Sequence, residues 1–175
     1  ILGSGGTSRT ATAAAKSLGA SEVVIISRSG ENNYGNLDRH SDAEIIVNTT
    51  PVGMYPNCPA SPVSLDLFPN CTGVMDVVYN PLRTGLLMDA ASRSIPCSGG
   101  LFMLVAQAKA AEELFTGGKI DDSVIDSIAS KLFMDNTNIV IIGMPGSGKS
   151  SVGQALSKLT GRELVDMDRY IEDEF

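Results

Sequence analysis

Apolar residues in this 175-residue chain fall into two kinds of block that alternate along it. One kind is a short run rich in Val and Ile: Val23–Ile26, the Ile45-Ile46-Val47 centre of Glu44–Asn48, Thr72–Val78, Ile95–Cys97, and later Ile139–Ile142 and Glu163–Val165. Such runs predict strands, and Val23–Ile26 and Thr72–Val78 read as strands buried on both faces of a parallel sheet. The other kind spaces its apolar positions three and four apart and predicts helices over Thr10–Leu18, about Thr84–Ser92, Leu101–Phe115 and Lys119–Phe133. In the third of these Leu101, Leu104, Val105, Ala108 and Phe115 make an inward face; in the fourth Val124, Ile125, Ile128 and Leu132 do. Gly30–Asp42 is polar and reads as a loop that holds the only histidine, His40, with no partner pattern around it. Pro51–Asn70 carries five of the eight prolines and reads as an ordered loop. Strands alternating with helices predict an α/β fold, a parallel sheet with helices on both faces.

Two glycine-rich stretches interrupt that pattern at strand-to-helix junctions. In GSGGTSR, Gly3–Arg9, the first glycines permit backbone conformations and close approaches that a Cβ would block. The first amides of the following helix can then face a pyrophosphate. The usual dinucleotide fingerprint has a third Gly or Ala where this chain has Ser8, so an ordinary glycine-rich strand-helix turn fits the same residues. One strand later, Ser27, Arg28 and Ser29 stand where an acidic residue would accept from an NAD ribose. An arginine flanked by hydroxyls suits a 2′-phosphate instead, which makes NADP the expected cofactor.

The second stretch, GMPGSGKSS, satisfies the whole phosphate-loop pattern with Gly143, Gly148, Lys149 and Ser150, between a predicted strand and a helix through Leu159. Loop amides cradle phosphates, Lys149 reaches the β and γ phosphates, and the Ser150 hydroxyl helps hold Mg²⁺. Asp166 and Asp168 follow the Glu163–Val165 run; two carboxylates one residue apart at a strand end suit Mg²⁺, a substrate hydroxyl or simply solvent. Gln107 shares a helical stripe with Gly100 and Met103, a spacing that by itself favours a boundary glutamine bonded to backbone.

A net charge of −7 argues against a nucleic-acid or anionic-membrane surface and leaves room for a focused phosphate pocket. Three cysteines without a CxxC pair suit a reducing cytoplasm, and no apolar run approaches the length of a membrane span. The chain opens without Met on the last residues of a strand and stops just after a new segment starts, so it reads as a piece cut at both ends. The polar joint Asn136–Asn138 divides it into expected domains at 1–135 and 136–175.

Four motifs in order, GSGGTSR, NTTPVGM (Asn48–Met54), DVVYNPLRTGLL (Asp76–Leu87) and GGLFMLVAQA (Gly99–Ala108), resemble the cofactor domain of shikimate dehydrogenase. The resemblance implies a Rossmann-like sheet and NADP-dependent, reversible reduction of 3-dehydroshikimate to shikimate. By motif position Gly3, Ser4, Gly5, Gly6 and Thr7 would hold the pyrophosphate, and Ser27, Arg28 and Ser29 the 2′-phosphate, although the family usually shows Asn-Arg-Thr there. Val77 and Gly100 would lie by the nicotinamide, and Tyr79 and Gln107 would touch shikimate. The family's acid/base lysine and aspartate lie in a substrate domain that precedes the glycine turn, so no catalytic residue is expected in this chain and the piece should bind cofactor without turnover. IGMPGSGKSS and LVDMDRYIE resemble the start of shikimate kinase. There Gly146, Ser147, Gly148, Lys149, Ser150 and Ser151 would bind ATP, Ser150 and Asp166 would serve Mg²⁺, and Asp168 would bind the shikimate hydroxyls. The alternatives are a quinate/shikimate dehydrogenase relative that uses NAD, and a nucleotide-binding module without chemistry.

Overall fold

The computed structural model describes residues 1–174 and separates into two compact units, Ile1–Asn136 and a second that begins at Thr137. In the first unit three strands, β1 (Ile45–Asn48), β2 (Gly73–Asp76) and β3 (Cys97–Ser98), pair in parallel in the order β1-β2-β3. Ile45 faces Gly73 and Asn48 faces Asp76, which places the polar ends of β1 and β2 side by side. The sheet extends beyond β1 through single bridges, because Leu2 pairs with both Asn48 and Ile26. The lanes therefore run Ile26, Leu2, β1, β2, β3, all parallel. The chain reverses its direction of travel across the sheet between the Leu2 lane and β1, and open α/β sheets bind ligands beyond the carboxyl ends of two such lanes.

Burial is one-sided. Ile46, Asn48, Val74 and Asp76 point into the core with Leu2 and Ile26, against helix α2 (Gly85–Ser92) and the single turn Leu65–Leu67. On the opposite face Ile45 and Met75 are 53% and 54% exposed, which corrects the expectation of a strand buried on both faces. Val23–Ile26 is likewise no full strand, since only Ile26 makes a bridge, by accepting from Gly3 N and donating to the Ile1 carbonyl, each at 2.8 Å. β3 takes Cys97 and Ser98 in place of Ile95–Cys97.

Helix α1 (Gly6–Ser17) begins four residues before the expected Thr10, so the glycine turn itself supplies its first turn. α3 (Leu101–Thr116) and α4 (Ser123–Asp135) pack on each other. Val105 is the buried residue of α3; Ala108 is exposed and Phe115 is 88% exposed, against the inward roles expected of them, because the helix runs past the edge of what it packs on. α4 starts at Ser123 instead of Lys119. Gly117 and Gly118 end α3, and Asp121 accepts from Ser123 N at 2.9 Å to open the new helix. The Gly30–Asp42 loop is ordered by its own asparagines: Asn33 donates to the Gly30 carbonyl, Asn36 donates to that of Glu31, and Asn36 Oδ1 accepts from Asn33 N. His40 does have a partner there, Asn32 at 3.0 Å, within the turn Leu37–His40.

The second unit holds α5 (Lys149–Thr160) and α6 (Met167–Glu174). Ile141 and Leu164 rest on Gly153 of α5. Ile139–Ile142 and Glu163–Val165 are not in a strand ladder among the described residues, and Val140 and Ile142 are 78% and 87% exposed. Strand geometry persists only where a neighbour takes up the backbone hydrogen bonds.

Candidate functional site

The carboxyl ends of the Leu2 lane and β1 form the cradle of the first unit. Gly3 has φ +102°, a conformation that favours glycine, and a Cβ there would come within 2.8 Å of Thr49 Oγ1 and 3.0 Å of Thr50 Cγ2. Thr49 is held in place because its amide and its hydroxyl both donate to the Leu2 carbonyl, at 2.8 and 2.7 Å. The turn delivers Gly5 as the N-cap of α1, where no side chain accepts from the first-turn amides and no acidic residue stands in that turn. Free amides at the positive end of a 12-residue helix make a site for an anion. Ser8 takes the position of the fingerprint's third small residue and is buried, with its hydroxyl unpartnered.

Ser27, Arg28 and Ser29 follow Ile26 at the end of the neighbouring lane. Ser27 Oγ donates to the Ser29 carbonyl and closes a tight turn, and Ser27 N donates to the Asn32 carbonyl. Arg28 is exposed and makes no hydrogen bond or ion pair with the described residues. Tyr34, half-buried against the core, stands close enough to feel it: burial pushes the phenol up while the Arg28 charge pulls the other way. The guanidinium is thus presented from an ordered turn with its donors unused, which suits a phosphate.

At the far end of the sheet, Val77 N donates to the Asn48 carbonyl and Gly100 N to the Val78 carbonyl, both at 3.0 Å. Gly100 lies so close to Val77 that a Cβ would collide with the Val77 carbonyl. Tyr79 and Gly100 line one cavity of about 500 Å³, whose other wall is α4, with Asp126 and Ser130. Gln107 does not line that cavity; it is exposed farther along α3 and has no side-chain bond among the described residues.

Beneath these loops lies a polar cluster that the apolar pattern left unread. Asp76 Oδ1 accepts from Asn48 Nδ2 at 2.9 Å and from Val78 N at 3.0 Å, and its Oδ2 accepts from Thr84 Oγ1 at 2.7 Å. Thr84 also caps α2 by accepting from Leu87 N. All three side chains are buried. Burial pushes the Asp76 carboxyl above its ordinary value, and the three donors oppose that. The signal was present in the sequence as two polar residues, Asn48 and Asp76, ending runs of Val, Ile and Met.

In the second unit, Gly146–Ser151 line a cavity of about 280 Å³ at the start of α5, whose first turn again has no side-chain cap and no acidic residue. Lys149 Nζ folds back over the loop to the carbonyls of Gly143 and Met144 at 3.0 and 2.9 Å. Asp168 lies in the first turn of α6 and not at a strand end, and its amide donates to Asp166 Oδ1 at 3.2 Å.

Comparison with known proteins bears on both units. The shikimate dehydrogenase of Clostridium perfringens is 34% identical over 145 residues, 75% of this chain and 54% of that protein. The crystal structure of shikimate dehydrogenase 1 from Peptoclostridium difficile superposes with a TM-score of 0.73 at 34% identity, over 79% of this chain and 55% of that one. Most of this chain is homologous to shikimate dehydrogenase. The Thermus thermophilus shikimate 5-dehydrogenase, solved with NADP(H) and shikimate, matches with a TM-score of 0.63 at 30% identity, over 74% of this chain and 53% of its own. The chain spans about half the length of the dehydrogenases it matches. Its parallel lanes and helices are those of a Rossmann-like sheet, the fold it shares with these dehydrogenases. At the other end, the family model for shikimate kinase matches residues 145–175. No helix among the described residues is long and apolar enough to cross a membrane.

Proposed function

We propose that the first unit is the NADP-binding half of a shikimate dehydrogenase, which reversibly reduces 3-dehydroshikimate to shikimate, joined in one chain to the opening of a shikimate kinase. The observation that carries the reading is the pairing of an uncapped α1 N-terminus at the sheet's reversal point with an unpartnered arginine one lane away. Gly3, Ser4, Gly5, Gly6 and Thr7 hold the pyrophosphate on backbone amides, so the anion completes the cap that α1 lacks. Ser27, Arg28 and Ser29 hold the 2′-phosphate, Arg28 with two parallel donors. Val77 and Gly100 make a close-packed floor for the nicotinamide, which supplies or takes the hydride when NADP is bound. Tyr79, at the cavity wall beside Gly100, orients the substrate. Gln107 also faces substrate in this reading. It lies outside the cavity that Tyr79 lines, exposed on α3.

The acid/base lysine and aspartate that the resemblance implies fall in the part of the family's length that these residues do not span, and the role read here for the first unit is cofactor binding. In the second unit Gly146, Ser147, Gly148, Lys149, Ser150 and Ser151 hold ATP phosphates, Ser150 and Asp166 serve Mg²⁺, and Asp168 meets shikimate hydroxyls. For this, Lys149 leaves the Gly143 and Met144 carbonyls for the phosphates.

Calorimetric titration of the chain with NADP⁺ and NAD⁺, beside Arg28→Ala, tests the reading. The expected result is NADP⁺ binding at least about tenfold tighter than NAD⁺, with the Arg28→Ala change removing that preference. Equal affinity for both cofactors, or none for either, refutes the cofactor assignment.

A further inference from the structure

The buried Asp76 cluster lies between the two ends of the proposed cofactor site and is bonded toward each. On one side, Asn48 donates to Asp76 and accepts from Thr50 N and Thr50 Oγ1 at 3.0 and 2.7 Å. Asn48 Nδ2 also donates to the Val52 carbonyl at 3.2 Å, so one side chain holds the whole turn after β1. Thr50 and its neighbour Thr49 are the residues against which Gly3 packs, at the pyrophosphate end. On the other side, Asp76 accepts from Val78 N, and the Val78 carbonyl accepts from Gly100 N, at the nicotinamide end. Thr84 fixes the remaining carboxylate oxygen to the start of α2.

We infer that Asp76 is a positioning residue that sets the spacing between the pyrophosphate turn and the nicotinamide floor, acting through Asn48 on one side and Val78 on the other. This rests on the cofactor reading above and goes beyond it, because none of Asn48, Asp76 and Thr84 is placed against the cofactor. A carboxylate is suited to the task. Its two oxygens meet three converging donors at once, and an amide in its place turns one of those oxygens into a donor facing donors. A buried polar network of this kind specifies one arrangement only while every member is satisfied. A dinucleotide bridging both ends needs that arrangement, whereas a ligand confined to the adenosine end does not.

The test is calorimetric titration of the full 175-residue chain with NADP⁺ and, separately, with adenosine 2′,5′-bisphosphate, which occupies only the adenosine end. Wild type is compared with Asp76→Asn, Thr84→Val and the conservative Thr84→Ser, and a thermal melt of each variant reports folding. Wild type binds NADP⁺ more tightly than the bisphosphate. Asp76→Asn and Thr84→Val weaken NADP⁺ by about tenfold or more and leave the bisphosphate within about twofold, and Thr84→Ser restores NADP⁺ affinity. A purely structural role moves both ligands together. Equal loss of both ligands in the folded Thr84→Val protein, or unchanged NADP⁺ affinity in Asp76→Asn, overturns the inference. A wild-type chain that binds neither ligand overturns the cofactor reading first.

Discussion

Two glycines show how single residues shape the candidate site. Gly3 is required twice, by its positive φ and by the hydroxyl and methyl of Thr49 and Thr50 beside it. Gly100 has ordinary dihedrals at the head of α3 and is required by proximity alone, since the Val77 carbonyl occupies the space of a Cβ. Because that neighbour is backbone and not the flexible end of a side chain, Gly100→Ala should cost about 1–3 kcal/mol, as overpacking of a filled site does. It should also weaken NADP⁺. A urea melt showing no loss of stability would mean that the Val77 strand end yields easily. The requirement at Gly3 was legible in the sequence because glycine-rich turns before helices have a known backbone use. That at Gly100 was not, because the residue it abuts lies 23 positions earlier.

Among the elements, α2 and α3 have similar apolar content and opposite situations. α2 lies on the buried face of the sheet, with Leu86 and Ala90 fully enclosed, and its start is pinned by Thr84. α3 buries Val105 and then runs outward, where Lys109 bridges Glu113 and Asp122 at 3.1 and 2.7 Å and Glu113 accepts from Ile120 N to hold the turn into α4. Leu86→Ala should therefore cost about 2–5 kcal/mol, while Phe115→Ala should stay within about 0.5 kcal/mol. Chemical denaturation of both variants checks the contrast, and comparable losses would show that Phe115 is enclosed in solution. Helical spacing identified both helices and their ends to within a few residues. It could not rank them, since periodicity says which residues share a face and not whether anything covers it.

At the scale of the whole molecule, ionisation pulls stability in two directions. Hydrogen bonds from Arg93 and Ser64 hold the Asp66 carboxyl below its ordinary value. The Ile120 amide, followed by Lys109, does the same for Glu113. Such groups stabilise the fold above their unfolded values, and that contribution is lost as pH falls through the depressed ones. Asp76 has the opposite sign. Burial raises its native value, so its contribution is complete below the ordinary carboxylate range and is lost as pH rises through the raised value. Urea denaturation of wild type and Asp76→Asn from about pH 3 to about pH 8 separates the terms: the wild-type-minus-variant stability should fall as pH rises. A difference that climbs with pH would show Asp76 stabilised as the anion.

Much of this molecule could be read from local pattern. The α/β class, the two glycine-rich turns, the helices and Arg28's place after the second lane all follow from backbone propensity and short-range spacing, which act within a dozen residues. Tertiary structure decided the rest. Val23–Ile26 became a single bridge, and Ile139–Ile142 stayed outside any ladder, because a strand exists only through its neighbour's hydrogen bonds. Asn48, Asp76 and Thr84, up to 36 positions apart, became one network because parallel pairing in register sets the ends of β1 and β2 side by side and α2 returns across them. A sequence shows that a polar residue interrupts an apolar run; only the fold supplies the partners that make its burial tolerable.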